Sequence, residues 1–145
     1  MDYRREKDTI YLRIDKGEPL LETIKDLVQK EKIEAGYFHG IGACDQVVIS
    51  TYLADKAEYK DHTITGMIEM VSLAGNISTN DSGQPTLHSH AVFSYLKDDG
   101  EIAVVAGHLK EADISYTGEI ILELAEEKIS RMFDQKAGID IWKLS

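Results

Sequence analysis

Cysteine is almost missing from this chain: Cys44 is the only one among 145 residues. It cannot close an internal disulfide, and it leaves no room for a thiolate metal cage, so histidine and carboxylate must supply any metal ligation. A reducing, cytoplasmic setting is the expectation. Long hydrophobic runs are missing too. No apolar stretch approaches the roughly 20 residues needed to span a bilayer, which excludes a helical membrane protein. The opening segment Met1-Asp2-Tyr3-Arg4-Arg5-Glu6-Lys7-Asp8 has a basic pair without an apolar core behind it, so it does not read as a secretory signal. Positive charge is scarce as well: 16 Lys and Arg stand against 26 Asp and Glu, a formal net charge of −10. Nucleic-acid binding depends on neutralising backbone phosphates, and the one dense basic cluster, Arg4-Arg5 with Lys7, is offset by Asp2, Glu6 and Asp8. A DNA-binding monomer is disfavoured on charge.

What remains is ordinary globular material, 43% hydrophobic and 29% charged, with no repeat, linker or low-complexity tract to divide it. Residues 1–145 read as one domain with room for a real core. Thr9-Ile10-Tyr11-Leu12-Arg13-Ile14 alternates as a strand. Gly17-Glu18-Pro19 then opens a helix running to about Lys30, whose apolar stripe is Leu20, Leu21, Ile24, Leu27 and Val28. Gly36–Ala43 and Val47–Leu53 are strand-like, with Asp45-Gln46 expected to join two separate strands. Thr63 to Asn80 suggests long extended structure, ended by the turn residues Asn80-Asp81-Ser82-Gly83-Gln84-Pro85. Thr86 to Lys97 and Glu101 to Leu109 form a hairpin around Asp98-Asp99-Gly100. Ile120, Ile121, Leu124, Ala125, Ile129, Met132 and Phe133 follow a helical period from Gly118 to about Phe133. Ile139 to Leu144 alternates as a closing strand.

The residues with most chemistry are histidines. His88 and His90 flank Ser89, so on a strand both emerge on one face, about 7 Å apart at the backbone. Hairpin register decides whether a third joins them. If Asp98-Asp99-Gly100 is a three-residue loop with Gly100 left-handed, His90 lies opposite His108 and all three rings share a face. A two-residue Asp99-Gly100 turn would oppose His108 to Ala91 instead. Three neutral imidazoles with an open position suit zinc or a similar divalent ion, able to bind or activate a small anion. The plain alternative is three partly buried histidines hydrogen-bonded to neighbours. His39, among glycines, is a candidate pocket residue, and His62 is expected at the surface. Glu69 sits inside the apolar run Met67-Ile68-Glu69-Met70-Val71, where burial without a partner would cost several kcal/mol, so either its face is exposed or something pairs with it. Arg131 is a candidate partner, or a grip for an anionic ligand.

The order of these pieces resembles the plants-and-prokaryotes conserved (PPC) domain. The carriers are Gly40-Ile41-Gly42-Ala43, the segment Gly66 to Ile77 with Glu69 inside it, Leu87-His88-Ser89-His90 and Gly107-His108-Leu109, and the likeness covers nearly the whole chain. It implies an α/β fold of the α+β type: a bent, largely antiparallel sheet packed with one main helix. It also implies a homotrimer, and a long strand, not a helix, from Glu119 to Asp134. Stand-alone microbial members with the three histidines resemble metal-containing proteins, and acetolactate decarboxylase, a distant fold relative, holds zinc with a His-x-His pair and a further histidine. That resemblance makes His88, His90 and His108 the expected metal ligands, and a metal-dependent lyase one alternative function. DNA binding is implied by the family label alone, because the Arg-Gly-Arg-Pro hook of the plant members has no counterpart here.

Overall fold

The one helix among the described residues is built on its amphipathic stripe. In the computed structural model, which describes residues 1–144, α1 (Leu20–Lys30) follows Pro19 at its N-cap and buries Leu20, Ile24, Leu27 and Val28. Each such side chain contributes roughly 1.5–3 kcal/mol by leaving water. The helix stops where Lys32 turns left-handed (φ 54°), which lets the Ile33 N–H reach back to the Val28 carbonyl at 2.9 Å. No helix among the described residues is long and apolar enough to cross a membrane.

Eight strands form one sheet around that helix: β1 (Asp2–Glu6), β2 (Thr9–Asp15), β3 (Gly36–Leu53), β4 (Glu58–Thr79), β5 (Pro85–Leu96), β6 (Ile102–Leu124), β7 (Ser130–Asp134) and β8 (Ile139–Lys143). All but one of the pairings are antiparallel. β3 pairs with β4 and with β6, and β5 pairs with the same two strands, so the four close into a ring. β2 lies against the far half of β6 and carries β1 on its outer edge. The helix packs against β5 and β6, and Ile10, Ile14, Phe38, Met70, Leu73, Phe93 and Leu122 are among the buried side chains of the core. This is the bent sheet with one main helix, α+β in class.

Three details differ from the sequence reading. β1 was not anticipated, because Asp2–Glu6 is almost wholly exposed and has no apolar alternation to mark it. Asp45-Gln46 does not join two strands: β3 runs straight through, and the break in pattern is a register shift between Cys44 and Gln46. As the resemblance implies, the helical period from Gly118 onward produces no helix. β2 takes one edge of that stretch and β3 the other, so its backbone is already committed to two ladders, and Ile120 and Leu122 alternate into the core. Nor is Glu119 to Asp134 a single strand. β6 ends at Leu124, where the Ala125 N–H bonds the Ala35 carbonyl, and β7 begins at Ser130 as the partner of β8.

The hairpin that sets the histidines matches its expected turn. Gly100 is left-handed (φ 82°), its N–H bonds the Lys97 carbonyl, and the Lys97 N–H bonds Glu101, closing a three-residue loop. Glycine enters this conformation without the clash a Cβ would bring.

Candidate metal centre

Strand pleating fixes which way the histidines point. Ser89 is buried and Ala91 is buried, so His88 and His90 on either side of Ser89 project from the outer face of β5. His90 is the register partner of His108 on β6. The ring centroids stand 5.3 Å (His88 to His90), 5.4 Å (His88 to His108) and 5.5 Å (His90 to His108) apart. One ligating nitrogen from each ring lies within 4.8 Å of the other two. A zinc–nitrogen bond is about 2 Å, so small side-chain rotations bring three such nitrogens onto one ion.

Protonation favours the ligand form. Partial burial, then the charge of His108, Arg131 and His90, holds the His88 imidazole below its ordinary pKa of 6.5. Partial burial and then His90 do the same for His108. Neutral imidazole is what binds a metal. The donor set therefore fits a divalent first-row ion, and three nitrogen ligands leave a coordination position open. When bound, such an ion supplies a Lewis acid at that position.

A hollow of about 390 Å³ opens beside the triad, lined by Tyr37, Asn76, His88, His90, Ile129 and Trp142 among others. Arg131 bonds one of its lining residues. Its Nη2 donates to Asn76 Oδ1 at 3.3 Å and its Nε to Ser78 Oγ at 2.8 Å, and Asn76 is the cross-strand partner of His88. On the other flank the Tyr59 ring lies 5.6 Å from that of His108.

The remaining sequence candidates separate from this cluster. Glu69 is exposed, between Ala43 and Ser94 in the sheet, so it needs no buried partner, and Arg131 bonds elsewhere. His39 sits one strand beyond His90, with Ala74 between them as partner of both. Its ring packs on Tyr37 at 5.4 Å, and it lines a different, larger hollow of about 840 Å³ with Tyr11, Arg13 and Ile41. The His39 Nδ1 is buried without a hydrogen-bond partner. His62 is half-buried in β4 opposite Ile49, not a free surface residue. Asn76, Tyr37 and Trp142 escaped the sequence reading. Trp142, the chain's single tryptophan on an alternating strand, carried the one usable signal.

With the geometry in hand, the chain's kinship is plain. The model of the Plants and Prokaryotes Conserved (PCC) domain matches residues 1–126, and the chain belongs to that family. A plant- and prokaryote-conserved protein of Pyrococcus horikoshii is 34% identical, with 98% of this chain and 93% of that one covered at a TM-score of 0.79. The metal-containing protein of Archaeoglobus fulgidus is 31% identical, with 98% and 96% covered and a TM-score of 0.80. A candidate DNA-binding protein of Bacteroides thetaiotaomicron is 25% identical, with 98% and 96% covered and a TM-score of 0.89. A Staphylococcus aureus protein described as similar to alpha-acetolactate decarboxylase shares the fold at 12% identity and a TM-score of 0.54, with 88% and 56% covered. No curated protein matches the chain.

Proposed function

We propose that this chain is a cytoplasmic, homotrimeric metal-binding protein in which His88, His90 and His108 hold one divalent ion, zinc by donor chemistry, with a small anionic ligand at the open position. The observation that carries this reading is the convergence of three imidazole nitrogens within 4.8 Å on an outward sheet face. The 31% identity to a metal-containing protein supports it. Arg131, beside the same hollow, supports the anion. For the trimer, the support is apolar surface near the hairpin tip that a neighbouring copy would cover: Leu96, Ile102 and Val104 are 68%, 73% and 66% exposed.

Metal analysis of the purified protein is the test, with the mass in solution measured beside it. About one zinc per chain in a particle of three chains is the expected outcome. A chain that carries no stoichiometric metal and takes up none on addition sinks the proposal. A lyase reading rests on a remote fold likeness and has no matched substrate group. DNA binding, the description given to the Bacteroides protein, runs against the −10 charge, so no duplex binding is expected at physiological salt.

A further inference from the structure

The match to the family model ends at residue 126, but the chain continues into a hairpin that returns to the histidines. β7 hangs from the end of β4 by a parallel bridge, Ser130 to Thr79, and by the Thr79 N–H to the Ile129 carbonyl at 2.9 Å. Within the hairpin Arg131 and Trp142 are register partners and share a face. Ile129, Trp142 and Tyr37 line the hollow beside His88 and His90, and Arg131 bonds another of its lining residues, Asn76.

The guanidinium of Arg131 is unusual here. Its three hydrogen bonds go to neutral oxygens only, those of Ser78 (Oγ), Asn76 (Oδ1) and Asp140 (backbone carbonyl). It is half-buried, and among the described residues no carboxylate lies within ion-pair distance of it. Every other arginine, Arg4, Arg5 and Arg13, is paired with an acid. Three of its five N–H groups are used, which leaves two to donate. In a chain carrying a net −10, an unmatched guanidinium beside a cation site is a place kept for an anion. The walls narrow the class. An indole, a phenol ring and an isoleucine offer flat, apolar surface, which suits a carboxylate carried on a planar or apolar body better than a fully hydrated phosphate.

We infer that the C-terminal hairpin selects the ligand of this site: a small organic carboxylate whose carboxylate pairs with Arg131 while its flat apolar part lies against the hollow's Trp142 and Tyr37. The inference rests on the metal reading only for what occupies the histidine end of the same hollow. Asn76 serves as a positioning residue, aligning the guanidinium.

Trp142 is the chain's only tryptophan, so its fluorescence reports this pocket directly. Benzoate is titrated into the full-length protein, zinc-loaded and metal-free, with benzamide and inorganic phosphate as comparators. Saturable change with benzoate, and none with the comparators, is expected. Arg131→Gln should weaken benzoate about tenfold to a hundredfold, the scale of lost charge-assisted hydrogen bonds. Its zinc content and mass in solution should stay unchanged. Arg131→Lys should fall between the two, since it keeps the charge and loses the fork, and Trp142→Ala, followed by calorimetry, should also weaken binding. Benzoate binding equal in wild type and Arg131→Gln overturns the inference, as does no response in wild type or an equal response to benzamide or phosphate. Zinc measured on the same samples keeps the two readings apart. A chain that binds no zinc ends the metal proposal, while the Arg131-dependent response of the metal-free protein still decides this one.

Discussion

His90 and His108 face each other across the β5–β6 ladder as register partners, their rings 5.5 Å apart and nearly perpendicular at 89°. His108 is held on its other side by Ser50 of β3, so its place is fixed from two directions. None of the three rings is buried, and truncation should spare the fold. His108→Ala is expected to weaken zinc binding by more than the roughly 10–100-fold that loss of an outer-shell partner costs, with the far-ultraviolet spectrum unchanged. In the wild type, zinc at 100 times its dissociation constant should add about 2.7 kcal/mol of stability, and that gain should disappear in the variant. Thermal melts with and without zinc read both.

The loop that sets this register depends on Gly100. A Cβ placed there meets nothing within 4 Å, so only the backbone opposes a side chain. Gly100→Ala should cost about 1–2 kcal/mol, the penalty of a left-handed L-residue. Zinc per chain should not change, because β3 still holds His108. Loss of zinc in this variant would show that the loop alone sets the register.

How much of this was legible beforehand follows from what each signal measures. The hairpin was readable because Asp98-Asp99-Gly100 names its turn and His-Ser-His names a face, two local rules that agree. β1 was not, since its pairing with β2 leaves Arg4 and Glu6 in water and no apolar alternation marks it. Over Gly118 to Phe133 local periodicity points to a helix and the family resemblance to a strand, and the strand holds through Leu124, because a 3.6-residue period can arise by coincidence in an apolar strand. The fate of these residues was decided by β2 and β3 on either side, which no local window contains. Arg131 could be flagged as a candidate grip for an anion. Its proximity to His88 required the β7–β8 hairpin to fold back over β4, a long-range event.

Glu31, just past the end of α1, ties the helix to β1. The Tyr3 hydroxyl donates to its Oε1 at 2.7 Å and Arg5 Nη1 to its Oε2 at 3.1 Å. Those two bonds, Tyr3 first and then Arg5, hold its carboxyl below the ordinary value of 4.5. A carboxyl whose pKa is lower folded than unfolded binds fewer protons in the native state. Its stabilisation is therefore present above the unfolded value and lost as pH falls through the folded one. Glu31→Gln should lower the melting temperature at pH 7, and the gap from wild type should shrink as the pH falls below the ordinary carboxyl value of 4.5. Added salt should narrow it in part at pH 7, since Arg5 is exposed and Glu31 is only partly covered. An undiminished gap in acid would assign the effect to packing.

Phe38 lies flat over Gly75, its partner across β3 and β4, and the ring is fully buried. A Cβ on Gly75 would stand 2.2 Å from the nearest ring carbon, with two more at 2.7 and 2.8 Å. Neither side can yield easily: the ring is inside the core, and Gly75 is also paired to Ser89 of β5. Gly75→Ala should therefore destabilise by about 1–3 kcal/mol, as overpacking does. Shrinking the neighbour tests the cause. Phe38→Leu is destabilising alone because it opens space, yet that space is where the new methyl must go. The double variant should be more stable than the sum of the two singles by about 0.5–3 kcal/mol in denaturant melts. Simple additivity would place the cost of Gly75→Ala in the backbone instead of the ring. Gly75 lies between Ala74 and Asn76, so a shifted ring also disturbs the strand that backs His88 and His90, and zinc affinity should fall in the single variant and recover in the double.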